Sequence, residues 1–271
     1  DSGKAYIYNV TTGALVHTLD NPNTGDALSD EFGYSVAISS NYAIVGARRT
    51  DDAGGSESGK AYIFNVTTGA LVHTLDNPNR YSTSAGDNFG YSVAISGNYA
   101  IVSSALDGFD GTIFEESGVA YIFNVTTGAL VHTLDNPSSL RQFDLFGVSV
   151  AISGNYAIVG AIGEEDAGNT YSGKAYIFNV TTGALVHTLD NPTAYGISDG
   201  DQFGGSVSIS GNYAIVGAQY EDAASGNGSG KAYIFNVTTG ALVHTLDNPN
   251  DYGTGTSDNF GQSVAISGNY A

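Results

Sequence analysis

The sequence predicts an all-β fold, a β-propeller of five four-stranded blades. Three observations predict it. The dipeptide Phe-Gly recurs at Phe32, Phe89, Phe146, Phe203 and Phe260, each step being 57 residues. Each repeat holds short runs rich in Val, Ile, Tyr and Phe, bounded by Gly, Asn, Pro or Thr, and none shows the 3.6-residue period of an amphipathic helix. The chain opens in a third strand and stops inside a second, so its two partial repeats are complementary.

One repeat supplies the strands. The first covers Phe89 to Ser96, the second Tyr99 to Ser103, the third Val119 to Val125 and the fourth Ala129 to Leu134. Ser-Gly-Asn joins the first two as a tight hairpin, because Gly and Asn tolerate positive φ. Thr-Thr-Gly joins the last two as a type I turn closed by a left-handed Gly. Asp-Asn-Pro ends the fourth strand, since Pro cannot donate to a ladder. The first strand has large residues on one side (Phe89, Val93, Ile95) and small ones on the other (Gly90, Ser92, Ala94). Such a sheet stacks on copies of itself, as propeller blades do.

The expected domain is a single propeller over 1–271, its first blade shared between 1–29 and 258–271. N-terminal strands three and four would pair with C-terminal strands one and two and close the ring without a free edge. A longer array is the rival arrangement.

Composition excludes several function classes. Across 271 residues there is no Cys, which removes disulfides, zinc–thiolate sites and a cysteine nucleophile. No apolar run approaches the length of a membrane-spanning helix. A formal net charge of −19 repels phosphate backbones, which argues against nucleic acid. A 41% hydrophobic content suffices for a packed core. The lack of an initiator Met and a signal peptide suggests a mature or excised piece.

The string Asp-Asn-Phe-Gly-Tyr-Ser-Val-Ala-Ile-Ser-Gly-Asn-Tyr-Ala-Ile-Val, Asp87 to Val102, resembles the FG-GAP repeat, as does Ser-Gly-Lys-Ala-Tyr-Ile-Phe at Ser58 to Phe64. The resemblance runs the length of the chain. It implies a β-propeller with an extracellular binding or adhesion role, like the heads of integrin α subunits and many secreted bacterial proteins. Integrin-type repeats carry an Asp-x-Asp-x-Asp-Gly calcium loop between the first two strands. Here a neutral Ser-Gly-Asn turn stands there, so that calcium site does not carry over. Five blades also depart from the integrin seven.

In the expected propeller, all 27 acidic residues and all 8 Lys and Arg fall on one face, in the connections from strand two to three and from strand four onward. The other face, built of hairpins, is neutral. The strands are near-copies, whereas the loops differ and carry aromatic residues and Arg. Loops on a rigid scaffold commonly bind ligands, and aromatics with Arg make contact hot spots. The candidate ligand-binding residues are Arg48, Arg80, Tyr81, Phe109, Asp110, Arg141, Phe143, Tyr195, Tyr220 and Tyr252. The loop Leu106 to Gly111 is the first choice among them.

Two sets of carboxylates are candidate calcium ligands, since calcium is hard and oxygen-seeking. Asp30, Asp87, Asp144, Asp201 and Asp258 each precede a Phe-Gly by two residues. Asp51, Asp52, Glu164, Asp166, Glu221 and Asp222 follow the second strand. The bland alternative for the first set is a turn device, each Asp accepting nearby backbone N–H groups. His17, His73, His132, His187 and His244 share one repeat position on the outermost strand and read as structural. Asn-Val-Thr at Asn9, Asn65, Asn124, Asn179 and Asn236 matches the N-glycosylation sequon, as does Asn227-Gly-Ser, and is equally a hairpin end.

No nucleophile elbow, phosphate loop or metal-binding His pair occurs. The expectation is a non-enzymatic extracellular module that binds a protein or glycan at the cell surface through its acidic loop face, with calcium as the one candidate cofactor. A structural repeat unit of a surface layer, sheath or filament, which self-assembles, is the second reading. A polysaccharide-cleaving enzyme is the third.

Overall fold

The computed structural model describes residues 2–23, 29–52, 55–78, 85–108, 117–138, 143–165, 171–192, 200–222, 228–249 and 257–271. The described residues are all-β, with strands in antiparallel sheets of a propeller-like kind. The chain divides into two compact units, 1–135 and 136–271.

The first unit opens with β1 (Lys4–Tyr8) and β2 (Leu15–Asp20), a sheet of two strands. Two four-stranded sheets follow. One holds β3 (Phe32–Ser39), β4 (Tyr42–Ala47), β5 (Lys60–Asn65) and β6 (Leu71–Asp76). The other holds β7 (Val93–Ser96), β8 (Tyr99–Ser104), β9 (Val119–Asn124) and β10 (Leu130–Asp135).

The second unit holds two more such sheets. One is β11 (Phe146–Ser153), β12 (Tyr156–Ala161), β13 (Lys174–Asn179) and β14 (Leu185–Asp190). The other is β15 (Ser206–Ser210), β16 (Tyr213–Ala218), β17 (Lys231–Asn236) and β18 (Leu242–Asp247). Residues 257–271 contribute bridges, Gly230–Phe260 and Ser267–Tyr270, but no named strand. The two-stranded β1–β2 sheet is therefore smaller than the four-stranded first blade expected from the sequence.

The turns form as their residues dictate. Asn124 Oδ1 accepts the backbone N–H groups of Thr126 and Thr127, both at 3.0 Å, and Gly128 N–H donates to Asn124 O at 2.8 Å. The four other Asn-Val-Thr-Thr-Gly copies repeat this cap through Asn9, Asn65, Asn179 and Asn236. The first strand starts less regularly than the sequence implies. Its Phe-Gly-x step is a register shift, between Phe32 and Ser35 in β3 and between Phe146 and Ser149 in β11.

Sheets stack through their small faces. In the first unit Ser35 Oγ donates to Gly90 O at 2.8 Å. A Cβ on Gly46 would lie 2.2 Å from that oxygen, so only Gly fits. Phe89 is buried between Tyr121 and Phe123, ring centroids 5.8 and 5.9 Å away. Burying such a ring contributes roughly 2–3 kcal/mol. In the second unit Ser149 Oγ donates to Gly204 O at 2.7 Å, and Phe203 packs on Tyr233 and Phe235.

The histidines tie neighbouring sheets together. Nε2 of His17 donates to Thr67 O and that of His73 to Thr126 O, each at 3.0 Å. His187 does the same to Thr238 O in the second unit at 3.0 Å.

Candidate functional site

Each Phe-Gly is preceded by a residue in the left-handed region: Glu31 (φ 55°), Asn88 (58°), Leu145 (54°), Gln202 (55°) and Asn259 (55°). A bulky residue held there is strained, and Leu145 has no side-chain hydrogen bond to relieve it. The surrounding fold imposes this kinked mouth in every repeat.

Beneath four of the mouths lies a buried carboxylate, Asp30, Asp87, Asp144 or Asp201. Asn77 Nδ2 donates to Asp87 Oδ2 at 2.8 Å, Asn136 to Asp144 at 2.9 Å and Asn191 to Asp201 at 2.8 Å. Asp30 accepts from both Asn21, at 2.7 Å, and Asn23, at 2.9 Å. Asp258 keeps the bond, from Asn248 at 2.9 Å, although it is exposed. The partner is an Asn side chain just after the fourth strand.

A second carboxylate is buried 20 residues further on in three of the repeats, at Asp107, Glu164 and Glu221. A buried tyrosine from the third strand serves each. Tyr121 Oη donates to Asp107 Oδ2 at 3.0 Å and Tyr176 Oη to Glu164 Oε1 at 2.9 Å. Tyr233 Oη donates to Glu221, which also accepts from the fully buried Lys231 at 2.9 Å. In the repeat of Asp30 the corresponding position is Thr50, and Tyr62 is pushed up to about 12 by burial and by the Asp30 charge.

Burial beside a second acid raises two of the aspartates that precede Phe-Gly. Asp87 is pushed up to about 8, first by desolvation and then by the Asp107 charge, with the Asn77 hydrogen bond opposing. Asp201 is pushed up to about 7 by desolvation and then by Glu221. Burial, then the Glu164 and Glu221 charges, raise Tyr176 and Tyr233 respectively.

These contacts relocate much of the acidic face expected from the sequence. Asp30, Asp87, Asp107, Asp144, Asp201, Glu164 and Glu221 are interior groups. Desolvation is tolerated because Asn and Tyr donors meet them.

Among the described residues no three acidic or His side chains gather closely enough to hold a metal ion. Of the second acid set, Asp51 accepts Glu57 N–H at 2.8 Å and Asp222 accepts Gly228 N–H at 2.9 Å, so both close loops. Asp52 bridges to Gly55 through its backbone. Asp166 lies outside the described residues.

The mouths differ in what they carry outward. At the residue before Phe-Gly and its partner 17 positions on, the pairs are Glu31–Arg48, Asn88–Ala105, Leu145–Ile162 and Gln202–Gln219. Arg48 Nε donates to Glu31 Oε2 at 2.6 Å, and Gln219 Nε2 to Gln202 Oε1 at 3.0 Å.

Only the first pair joins aromatics among the described residues. The Arg48 guanidinium sits 3.8 Å from the Tyr34 ring centroid and 5.3 Å from that of Tyr91, and the two rings are 5.5 Å apart. Burial and a hydrogen bond with Tyr34 raise the Tyr91 phenol. Arg49 reaches Glu31 at 3.4 Å and Glu57 at 3.9 Å. Tyr34 is 46% exposed. The result is an accessible aromatic–guanidinium platform in the first unit.

A family model described as the FG-GAP repeat matches residues 25–64, 82–123, 137–178 and 193–235. The chain belongs to the FG-GAP repeat family. No curated protein matches it. Phe32, Phe89, Phe146 and Phe203, with the third-strand segments Ser58–Phe64, Ser172–Phe178 and Ser229–Phe235, lie inside the matched spans of these FG-GAP repeats, and Phe260 lies outside them.

Of the ligand-binding residues expected from the sequence, Arg48 stands in the platform. Phe143 and Tyr220 are exposed in the second unit, Phe143 at positive φ. Arg80, Tyr81, Phe109, Asp110, Arg141, Tyr195 and Tyr252 lie outside the described residues. Sequence reasoning missed Tyr34, Tyr91 and Glu31. The signal that finds them is divergence inside a repeated strand: Tyr34, Tyr91, Val148, Gly205 and Gln262 occupy one FG-GAP position.

Proposed function

We propose that this chain is a non-enzymatic extracellular binding module that captures a protein or glycan through the Tyr34–Tyr91–Arg48 platform. The stacked guanidinium and its exposed ring carry the reading. Tyr and Arg give rigid contact area with directed donors, the chemistry of binding hot spots. The other described mouths put Ala105, Ile162 or Gln219 in place of Arg48, so the platform is a local departure from a conserved scaffold within the chain. The buried carboxylates support a non-catalytic reading, because Asn and Tyr donors engage them away from solvent.

The test is capture on immobilised glycan and extracellular-matrix protein panels, comparing the chain with Tyr91→Ala and Arg48→Ala. Loss of a captured ligand in both variants, each still folding cooperatively, supports the site. Retained capture in both removes it.

A further inference from the structure

Lys231 and Glu221 face each other inside the second unit, Nζ 2.9 Å from Oε1, and neither side chain reaches solvent. The backbone brings them together. Gly230 N–H donates to Glu221 O at 2.9 Å, which clamps the residue before Lys231 onto the connection that follows β16. Tyr233, two residues on in β17, sets its buried Oη against both Glu221 oxygens. Asp201 is buried as well, close enough to feel the charges of both partners.

The other repeats lack part of this arrangement. The first full repeat has Lys60 but Thr50 in place of the acid, and the next has Asp107 but Val119 in place of the amine. Where Glu164 and Lys174 both occur, Lys174 pairs with the exposed Asp190 and its side chain keeps 14% of its surface in solvent.

A primary amine and a carboxyl group held in contact without water are the reactants of an amide. In solution both ions are hydrated, and condensation gains nothing. In a dry interior each ion carries a large desolvation cost. Joining them replaces two buried charges with one neutral amide and expels a water. Fixed contact makes the step unimolecular, and a desolvated lysine is a ready nucleophile.

We propose that Lys231 and Glu221 join in an intramolecular isopeptide bond, Nζ to Cδ, with loss of one water. Nζ starts with three protons as an ammonium. The first passes to Glu221 along the existing hydrogen bond, leaving an amine beside a carboxylic acid. The amine lone pair then adds to Cδ. Tyr233 Oη, in contact with both carboxyl oxygens, stabilises the oxyanion and relays the second proton to the departing oxygen. The C–O bond breaks, water leaves, and the amide keeps the third proton. The balance needs no oxidant and no co-reactant. The bond fastens β17 to the connection after β16 and is independent of the Tyr–Arg platform.

The experiment is mass spectrometry of the purified 271-residue chain, intact and after unfolding and digestion with trypsin. The expected intact mass lies about 18 Da, one water, below that of the sequence. Between Ala175 and Ala271 the sole Lys or Arg is Lys231. Trypsin does not cut after an acylated lysine. The linked chain therefore yields 175–271 as a single fragment, whereas an unlinked chain yields 175–231 and 232–271. Cutting after Lys174 continues in both and serves as the internal control. Lys231→Arg keeps the positive charge but offers no primary amine, and should return the full mass. A wild-type chain at the full sequence mass, cut after Lys231, overturns the proposal. So does a missing water that persists in Lys231→Arg, because the loss then lies at another residue.

Discussion

Lys231 Nζ lies 2.9 Å from Glu221 Oε1, and both side chains are fully buried. The other lysines of this repeat position behave differently: Lys60 pairs with Asp76 and Lys174 with Asp190, each through an exposed carboxylate. A buried ion pair tolerates loss of one partner poorly, because the remaining charge has no water to return to.

Lys231→Met is therefore expected to cost about 3–5 kcal/mol. The matching Lys60→Met should cost about 1 kcal/mol or less, since Asp76 is exposed. Urea denaturation of the two variants checks the contrast. Equal losses would mean that burial adds nothing to the weight of the Lys231–Glu221 pair.

The buried acid pairs make stability depend on pH in an unusual direction. Asp87 is pushed up to about 8 in the folded state, far above an unfolded carboxyl near about 4. Between those values the folded chain holds a proton that the unfolded chain has released. Stability is then greatest near the unfolded value and falls as pH rises towards 8. Asp201, pushed up to about 7, adds to the same slope over a narrower window. Each group contributes up to about 1.4 kcal/mol per pH unit inside its window. The melting temperature should drop between pH 5 and pH 8, on the order of several degrees. Asp87→Asn with Asp201→Asn should flatten the profile, because Asn imitates the protonated acid. A profile that rises with pH, or one unchanged in the double variant, would show that these acids ionise freely.

Stacking through small faces predicts a sharp difference between two glycines. A Cβ on Gly46 would meet Gly90 O at 2.2 Å and Ser35 Oγ at 2.3 Å. Gly46→Ala must push two sheets apart and is expected to cost about 1–3 kcal/mol. Gly97, at φ 56°, has nothing within 4 Å of an added Cβ. Its counterpart in the first full repeat is already Ser40, at φ 47°. Gly97→Ser should thus change stability by less than about 1 kcal/mol. Thermal melts of the two variants decide whether close approach, and not backbone strain, governs the position.

The strands were the readable part. Val, Ile and Tyr alternation, Gly-Asn turns and the Asn-Val-Thr-Thr-Gly cap are local chemistry, and they recur where the sequence places them. The acids were less readable. Asp87 looks like a solvated loop residue until Asn77 and Asp107, from two different connections, are brought beside it. Burial of a carboxylate depends on donors that the fold supplies, so composition assigns it to the surface. Tyr34 and Tyr91 are 57 residues apart, and only the stacking of β3 and β7 makes them one platform with Arg48.

The mouth pairs predict that stability and ligand capture separate. Arg48→Ala removes the Glu31 ion pair at 2.6 Å and the contact with two rings. Both groups remain partly hydrated, so the expected cost is about 1 kcal/mol. The chain also contains a neutral substitute, Gln202–Gln219, bonded at 3.0 Å at the same repeat position. Glu31→Gln with Arg48→Gln should restore most of that stability through an amide–amide bond. It leaves the Tyr34 and Tyr91 rings without a cation, so capture of the ligand should stay lost. A double variant that regains both stability and capture would make the guanidinium a structural strut and place recognition elsewhere.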